Sequence, residues 1–272
     1  MPTVHPTAVL DGDVQLAPDV VVGPNCVLTG PVEVGAGCRL VGNVYLNGPM
    51  VVGTGNMFYP FTTIGFAPQH GAFDPTTPGL GVVIGDDNTF REHTSVHRAF
   101  TDEGPTTIGD RNMFMVNAHI GHDCRVGADV TLVNNVCLAG HSEVHDRAIL
   151  GGGASIHQFT RVGRGAMIHG LCGLRSDLPP FFMITAMREC GGLNLVGMRR
   201  AGMPREQIDT ARWVYRTLYR ERRTLTKAVA VLRDRSDDPF VAEYIAFIES
   251  SKTGISNGPA VEARAVQSPS PT

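Results

Sequence analysis

The sequence has few charged residues (18% of 272), one tryptophan and a net charge of only −3. No apolar run approaches the length of a membrane span, and the charge gives no sign of a nucleic-acid-binding surface. Six cysteines are scattered without CxxC or CxxH spacing, so they support neither a disulfide framework nor a zinc site. The N-terminal segment lacks the basic and apolar regions of a signal peptide. We therefore expect a cytoplasmic protein without stable membrane insertion.

What the sequence does contain is glycine, proline and a repeat of six residues. Large apolar residues recur without a failed step from Val4 to Ile64, and the register resumes after each of two breaks, near 65–83 and 98–107. The later positions on this line are Ile84, Phe90, Val96, Ile108, Phe114, Ile120, Val126, Leu132, Leu138, Val144, Leu150, Ile156, Val162, Ile168 and Leu174. Glycine often follows the apolar residue, and the fifth position is mostly small or β-branched.

A period of six fits neither a helix nor a simple strand, and it requires a short strand plus a turn. Such a unit has no core alone and gains one only when copies stack. The pattern resembles the hexapeptide-repeat acyltransferase superfamily, in which three hexads form one coil. The resemblance implies a mainly β fold, a left-handed parallel β-helix of triangular section over residues 1–180.

The repeat stops near Pro179, and a helical domain is expected over 181–255. Pro204 opens a helix with apolar residues on one face, Thr226 is expected to cap a second helix, and a third is expected in the segment DPFVAEYIAFIESS. The Ser- and Pro-rich segment 256–272 is predicted to be a disordered tail.

Histidines concentrate in the second half of the repeat. With coils of three hexads, His122, Gly140 and Gln158 stack in one line, and His141 and His157 are each one residue off it. His122 followed by Asp123 suits general-base chemistry, since a neighbouring carboxylate can orient an imidazole. A backbone N–H such as that of Gly140 could stabilise an oxyanion. A metal site is a weaker interpretation, because no cysteine or second carboxylate completes a ligand set.

Several segments together resemble the UDP-N-acetylglucosamine O-acyltransferase family, the first enzymes of lipid A synthesis. They are VHPTA, SVHR, NAHIGHDC, LAGHSEV, IHQF, LPPF and GLNLVGMRRAGM. The resemblance implies transfer of a 3-hydroxyacyl chain from acyl carrier protein to the 3-hydroxyl of UDP-N-acetylglucosamine. It also implies a homotrimer with each active site between two subunits, and neither a cofactor nor a metal.

Carried over by motif, the resemblance makes His122 the general base, Asp123 its partner and Gly140 the oxyanion donor. It gives substrate-contacting roles to Gln69, His97, His119, His141, His157, Gln158, Gly170, Asn194 and Arg200. Among these, Asn194 matches a nucleotide contact, Arg200 a phosphate contact, and Gly170 a position that limits acyl length.

Four positions depart from the family pattern, and all concern the acceptor rather than the acyl transfer. His70 and Ala72 stand where the first insertion commonly carries Asp and Lys, Val196 replaces an acidic nucleotide contact, and Ala201 replaces a second Arg. Two alternatives therefore stay open: an N-acyltransferase acting on a 3-amino sugar nucleotide, and a zinc-dependent enzyme resembling γ-carbonic anhydrases.

Overall fold

The chain forms a parallel β-solenoid that ends in four helices, as the computed structural model shows for residues 1–186 and 189–258. This confirms the predicted fold class: mainly β, with hexapeptide repeats stacked in parallel and a helical C-terminal part. The left hand of the coil stays a prediction. Among the described residues, no helix is long and apolar enough to cross a membrane.

Successive hexads contribute in turn to three parallel sheets, which form the faces of a prism. The first face consists of Thr3–Val4, Val21–Val22, Arg39–Leu40, Met57–Phe58, Thr89–Phe90, Met113–Phe114, Thr131–Leu132, Ile149–Leu150, Met167–Ile168, Phe182–Ala186 and Glu189–Leu193. The second consists of Val9–Asp11, Val27–Thr29, Tyr45–Asn47, Thr63–Phe66, Ser95–His97, His119–Ile120, Cys137–Leu138, Ser155–Ile156 and Gly173–Leu174. The third consists of Val14–Leu16, Val32–Val34, Met50–Val52, Val82–Ile84, Thr106–Ile108, Arg125–Val126, Glu143–Val144 and Arg161–Val162.

The core is the line of large apolar residues identified in the repeat. From Val22 to Leu174 every member of that line is buried, whereas Val4 and Leu10 in the first coil are exposed by 37% and 41% because nothing stacks below them. Equivalent positions pair directly, as Phe58 does with Phe90, and those two rings stack 5.0 Å apart. The repeat therefore fixes the register coil by coil.

Two excursions leave the solenoid, one over residues 67–81 and one over residues 98–105. Each follows a strand of the second face, Thr63–Phe66 or Ser95–His97, and each returns into a strand of the third face. Both therefore project from the same corner of the prism, in successive coils.

After the last coil the chain does not turn helical at residue 181 as expected. Phe182–Ala186 extends the first face, and Glu189–Leu193 pairs with it in the antiparallel direction, covering the edge of the sheet. Helices follow as α1 (Leu195–Arg200), α2 (Arg205–Tyr219), α3 (Leu225–Arg233) and α4 (Pro239–Glu249).

The three helices expected from the sequence are present, but the Thr226 cap expected for the second is wrong, because Thr226 lies inside that helix. Pro204 precedes α2, Asp238 caps α4 through Phe240 N–H, and α3 is capped by Thr224 rather than Thr226. The sequence did not indicate α1, which is too short to show a periodic face.

Two half-buried arginines, Arg161 and Arg164, connect the helical part to the last coils. Arg161 donates to Asp177, which is 1% exposed, and also to the carbonyl of Phe247. Arg164 forms a two-point pair with Glu243 at 2.9 and 2.6 Å. These internal bonds occupy the guanidinium groups of both arginines.

Residue 256, the first of the predicted disordered tail, is held in place by hydrogen bonds. Ser256 is buried, its N–H donates to the carbonyl of Asp177, and its own carbonyl accepts from the Tyr219 hydroxyl. The remainder of the predicted tail, from residue 259, lies outside the described residues.

Candidate active site

The histidines predicted to belong to the site lie at or beside one corner of the prism, between the second and third faces. Three turns form this corner, at 121–124, 139–142 and 157–160, and both excursions project from it. We call this region the histidine corner. The position of these turns follows from the topology alone, because every turn that leaves a strand of the second face lies at this corner.

The register confirms the stacking expected from the repeat. His119 pairs with Cys137, and Cys137 pairs with Ser155, so His122, Gly140 and Gln158 follow at equivalent positions. The next residues along, Asp123, His141 and Phe159, form a second line with φ angles of 58°, 60° and 62°. These left-handed turn positions bring the side chains of adjacent coils together at the corner.

His122 and Asp123 form the central pair of the corner. His122 Nδ1 lies 2.6 Å from Asp123 Oδ2. That same oxygen accepts from the Phe100 N–H at 3.0 Å, and Oδ1 accepts from the N–H and hydroxyl of Thr101 at 3.0 and 2.7 Å. Burial alone would raise the pKa of Asp123, but these hydrogen bonds outweigh it and lower the pKa below its usual value.

This arrangement fixes the useful tautomer of His122. A carboxylate only accepts, so Nδ1 carries the proton and Nε2 keeps its lone pair. The imidazole can then take a proton at Nε2 while the ionised Asp123 stabilises the positive charge that develops. This is the arrangement of a general base.

Gly140 is packed directly against the ring of His122. A Cβ built on Gly140 would lie 2.5 Å from both Cε1 and Nε2 of His122, closer than real Cβ contacts come. In the described part of the chain the Gly140 N–H has no hydrogen-bond acceptor, whereas its carbonyl accepts from the Phe159 N–H. The absence of a side chain thus leaves a backbone donor beside the base.

His141 extends the pair toward the third face. Its ring meets His122 edge-on at 5.2 Å, its Nε2 lies 3.7 Å from Asp123 Oδ2, and it stacks on Phe159 at 4.4 Å. Burial lowers the pKa of His141, and Asp123 opposes that shift only in part. A neutral imidazole here can donate or accept a hydrogen bond to a polar ligand.

His97 and His119 continue the corner on the second face, one coil apart. Their rings meet edge-on at 5.0 Å, and His119 Nδ1 lies 2.8 Å from the Ser95 hydroxyl. Burial, then the charges of His119 and His122, lower the pKa of His97 to about 4. Burial also lowers the pKa of His119. Both rings are therefore neutral near pH 7.

The other residues expected at the corner are more exposed. His157 and Gln158 lie one coil above Gly140, and His157 Nδ1 is 3.2 Å from the carbonyl of Gln158. The first excursion carries Gln69 and His70. His70 packs on the Phe100 ring at 4.5 Å and comes within 6.2 Å of the His122 ring.

Three expected site residues are not at this corner within one chain. Gly170 lies in a turn between the first and second faces, opposite Gly152. Asn194 and Arg200 line a cavity of about 800 Å³ between the first face and α1, together with the departures Val196 and Ala201.

Asn194 has a structural task that the resemblance did not indicate. Its Oδ1 caps α1 by accepting from the Gly197 N–H, and its Nδ2 donates to the carbonyl of Gly165 at 3.0 Å. The residue is only 6% exposed, and among the described residues each end of the amide makes one of its two possible hydrogen bonds.

Sequence reasoning also missed residues that complete the corner. Phe100 and Thr101 bind Asp123 from the second excursion, where no repeat gives a register. Phe159 could have been found, because it follows His141 by one coil on the same line. Phe159 also lines a cavity of about 590 Å³ with Asp123 and His141, next to the base.

One group among the described residues has the spacing of a cation site, namely His122, Asp123 and His141. However, each oxygen of Asp123 already accepts two hydrogen bonds, which uses the lone pairs that a cation would need. The donor set therefore fits an oriented carboxylate better than a metal ligand.

Known proteins are similar to this chain over most of its length. A family model described as "Udp N-acetylglucosamine O-acyltransferase; Domain 2" matches residues 177–256, and a bacterial transferase hexapeptide model matches 105–140. The acyl-[acyl-carrier-protein]–UDP-N-acetylglucosamine O-acyltransferase of Thermodesulfovibrio yellowstonii is 40% identical over 94% of this chain and 99% of its own length. The enzyme of the same name from Burkholderia vietnamiensis is 44% identical with the same coverage.

The chain belongs to the UDP-N-acetylglucosamine O-acyltransferase family. Solved structures of family members share the whole architecture. The Francisella novicida enzyme superposes with a TM-score of 0.92 at 32% identity and covers 95% of each chain. The Moraxella catarrhalis enzyme superposes with a TM-score of 0.88 at 32% identity, covering 93% of this chain and 98% of its own. Family membership favours O-acyl transfer over the N-acyltransferase and the zinc-dependent alternatives.

Proposed function

We propose that this protein transfers a 3-hydroxyacyl chain from acyl carrier protein to the 3-hydroxyl of UDP-N-acetylglucosamine, the first step of lipid A synthesis. The observation that carries the proposal is the His122–Asp123 pair with Gly140 against it, in a chain whose curated relatives are named for this reaction. A cytoplasmic location is part of the proposal.

In the proposed reaction, the sugar hydroxyl binds at Nε2 of His122. His122 takes its proton while the hydroxyl oxygen attacks the carbonyl carbon of the acyl thioester. The Gly140 N–H donates to the oxyanion that forms. The intermediate then collapses with loss of the carrier thiolate, and the imidazolium returns the proton to that sulfur. No covalent enzyme intermediate is needed, because the acceptor itself is the nucleophile.

The remaining predicted contacts distribute over the two substrates. Gln69, His97, His119 and His141 are proposed to hold the sugar, and His157 and Gln158 continue the corner by one coil. Gly170 is proposed to limit the length of the acyl chain. Asn194 and Arg200 are proposed to contact the nucleotide from the cavity beside α1.

The proposal includes a homotrimer in which two subunits complete each site. In one chain, His122 lies at the corner of the second and third faces, whereas Arg200 lies beside the first face. Both can meet one nucleotide sugar if the corner of one subunit faces the first face of its neighbour. This separation supports a shared site.

The decisive variant is His122→Ala, assayed for transfer from 3-hydroxyacyl carrier protein to UDP-N-acetylglucosamine. Loss of a general base should lower kcat by about 10²- to 10⁴-fold. His145→Ala is the matched control, because His145 lies outside the histidine corner, near Glu143 on the third face. Near-normal kcat in the His122 variant would refute the general-base role.

The acceptor and the shared site have tests of their own. Offering UDP-N-acetylglucosamine and its 3-amino analogue in parallel should give faster turnover of the hydroxyl acceptor; preference for the amine would overturn the O-acyl assignment.

Co-expression of His122→Ala and Arg200→Ala chains should restore activity in mixed trimers, since some sites then contain both intact residues. Activity no higher than that of the separate variants would argue for sites within single subunits.

A further inference from the structure

Arg98 is a buried cation at the root of the second excursion. Its residue surface is only 4% exposed. Nη1 donates to the carbonyl of Gly65 at 3.1 Å, and Nη2 donates to the carbonyls of Pro75 and Thr77 at 3.0 and 2.8 Å. All three acceptors belong to the first excursion or to the strand end from which it starts.

In the part of the chain that the structure describes, Arg98 has no carboxylate within ion-pair distance, and its Nε has no hydrogen-bond partner. Burial accordingly lowers the pKa of the guanidinium. Burying a charge with only neutral acceptors is unfavourable. A guanidinium, however, has several donors in a fixed plane and can hold several carbonyls at once.

Aromatic contacts connect the first excursion, which Arg98 holds, to the base His122. Phe73 lies beneath the guanidinium, 5.5 Å from ring centre to Cζ, and its ring packs on Phe100 at 5.9 Å. Phe100 in turn packs on His70 at 4.5 Å and on His122 at 5.7 Å. Two residues after Arg98, the chain begins to donate its N–H groups to Asp123.

We infer that Arg98 is a positioning residue for acceptor binding: by joining three carbonyls of the first excursion, it holds Gln69 and His70 over the histidine corner. The inference deepens the proposed function and rests on it for the identity of the acceptor. Arg98 does not touch the reacting atoms; it acts through the excursion that its guanidinium holds.

The first test is Arg98→Lys, which keeps the charge but presents its three donors from a single nitrogen instead of a planar fork. We expect the KM for UDP-N-acetylglucosamine to rise about tenfold or more, with kcat and the KM for the acyl carrier protein changed by less than about threefold. Arg91→Lys is the matched control, because Arg91 is a partly exposed arginine paired with Glu92 and the change should leave all three constants unaltered. Unchanged acceptor KM in Arg98→Lys, or an equal loss in kcat, would overturn the inference.

The second test is rescue of Arg98→Ala by millimolar guanidinium chloride, with sodium chloride at the same ionic strength as control. A free guanidinium ion can occupy the vacated space and should lower the raised acceptor KM toward the wild-type value. A purely structural defect would not respond in this way, and absence of rescue in a folded variant would count against the positioning role.

The third test does not depend on the acceptor. Amide hydrogen exchange in Arg98→Lys should be at least about tenfold faster over residues 67–81, with the Met113–Phe114 strand unchanged. Protected amides at 67–81 would refute the inference even if wild-type enzyme used a different acceptor. The two results can also separate. If the wild-type enzyme is inactive with UDP-N-acetylglucosamine but exchange over residues 67–81 is faster in Arg98→Lys, the proposed acceptor is refuted and the positioning role is retained.

Discussion

The Gly140→Ala variant separates two possible roles of the glycine beside the base: supplying a backbone N–H, and leaving space for the His122 ring. The backbone N–H survives in Gly140→Ala, so the proposed oxyanion donor is retained. The new Cβ, however, would lie 2.5 Å from Cε1 and Nε2 of His122 and 3.0 Å from Nδ1. Ordinary contacts between such atoms are about 3.5–4.0 Å, so the ring must move by about 1 Å.

A displacement of that size has a large effect on a base held by one short hydrogen bond. Misplacing a catalytic group by about 1 Å costs on the order of 10²-fold in rate, or about 2.7 kcal/mol of transition-state stabilisation. We therefore expect kcat for acyl transfer to fall about 100-fold. Overpacking should also lower the free energy of unfolding by about 1–3 kcal/mol, measured by urea denaturation.

The solenoid supplies a matched control in Gly152→Ala. Gly152 is the second residue after the strand Ile149–Leu150, as Gly140 is after Cys137–Leu138, but it lies at a different corner. A Cβ there would meet Asn134 O at 3.4 Å and Val133 Cγ1 at 3.6 Å, which is ordinary contact. Wild-type kcat in Gly140→Ala, or an equal loss in both variants, would refute the reasoning.

Three further predictions test the electrostatics of the corner and of the last coil. Asp123→Asn replaces an acceptor oxygen by an amide donor, so His122 loses its orientation and kcat should fall on the order of 10²- to 10⁴-fold; a fall below tenfold would contradict this. His97 has a folded-state pKa of about 4, so below pH 6.5 the unfolded chain binds the proton first. Stability should therefore drop by up to about 3 kcal/mol as the pH falls from 6.5 to 4, and His97→Gln should flatten that part of the curve of unfolding free energy against pH; parallel curves would refute it. Arg161→Ala leaves the buried Asp177 without its cation and should cost about 3–5 kcal/mol of stability in urea, whereas Arg233→Ala, an exposed pair, should cost less than about 1 kcal/mol.

The sequence predicted most strongly what the repeat controls. A period of six fixed the apolar line, the stacking of coils and the grouping of His122 with Gly140 and His141, because identical positions in a solenoid must align. The repeat could not predict where Thr101 and Phe100 would lie, since they belong to an excursion without a register. Asn194 shows a different limit: a motif indicated a ligand contact, and only the fold showed that its amide caps a helix.

The histidine corner is built partly from turns of the coils and partly from the first excursion. Variants in these two parts should therefore change different kinetic constants. His122, Asp123 and Gly140 lie on turns whose neighbours Ile120 and Leu138 are fully buried, so the core of the coil fixes their positions. The first excursion has no such core. It is roughly four times as long as an ordinary turn, which adds only about 1 kcal/mol of closure entropy, but ordering its residues costs about 1–2 kcal/mol each. Specific bonds must offset that cost, and Arg98 contributes three of them from a side chain that is almost fully buried. Disturbing the coil at Gly140 should therefore change kcat, while disturbing the excursion at Arg98 should change the KM of the acceptor. Finding both effects in the same kinetic constant would mean that the excursion and the coil behave as one rigid unit.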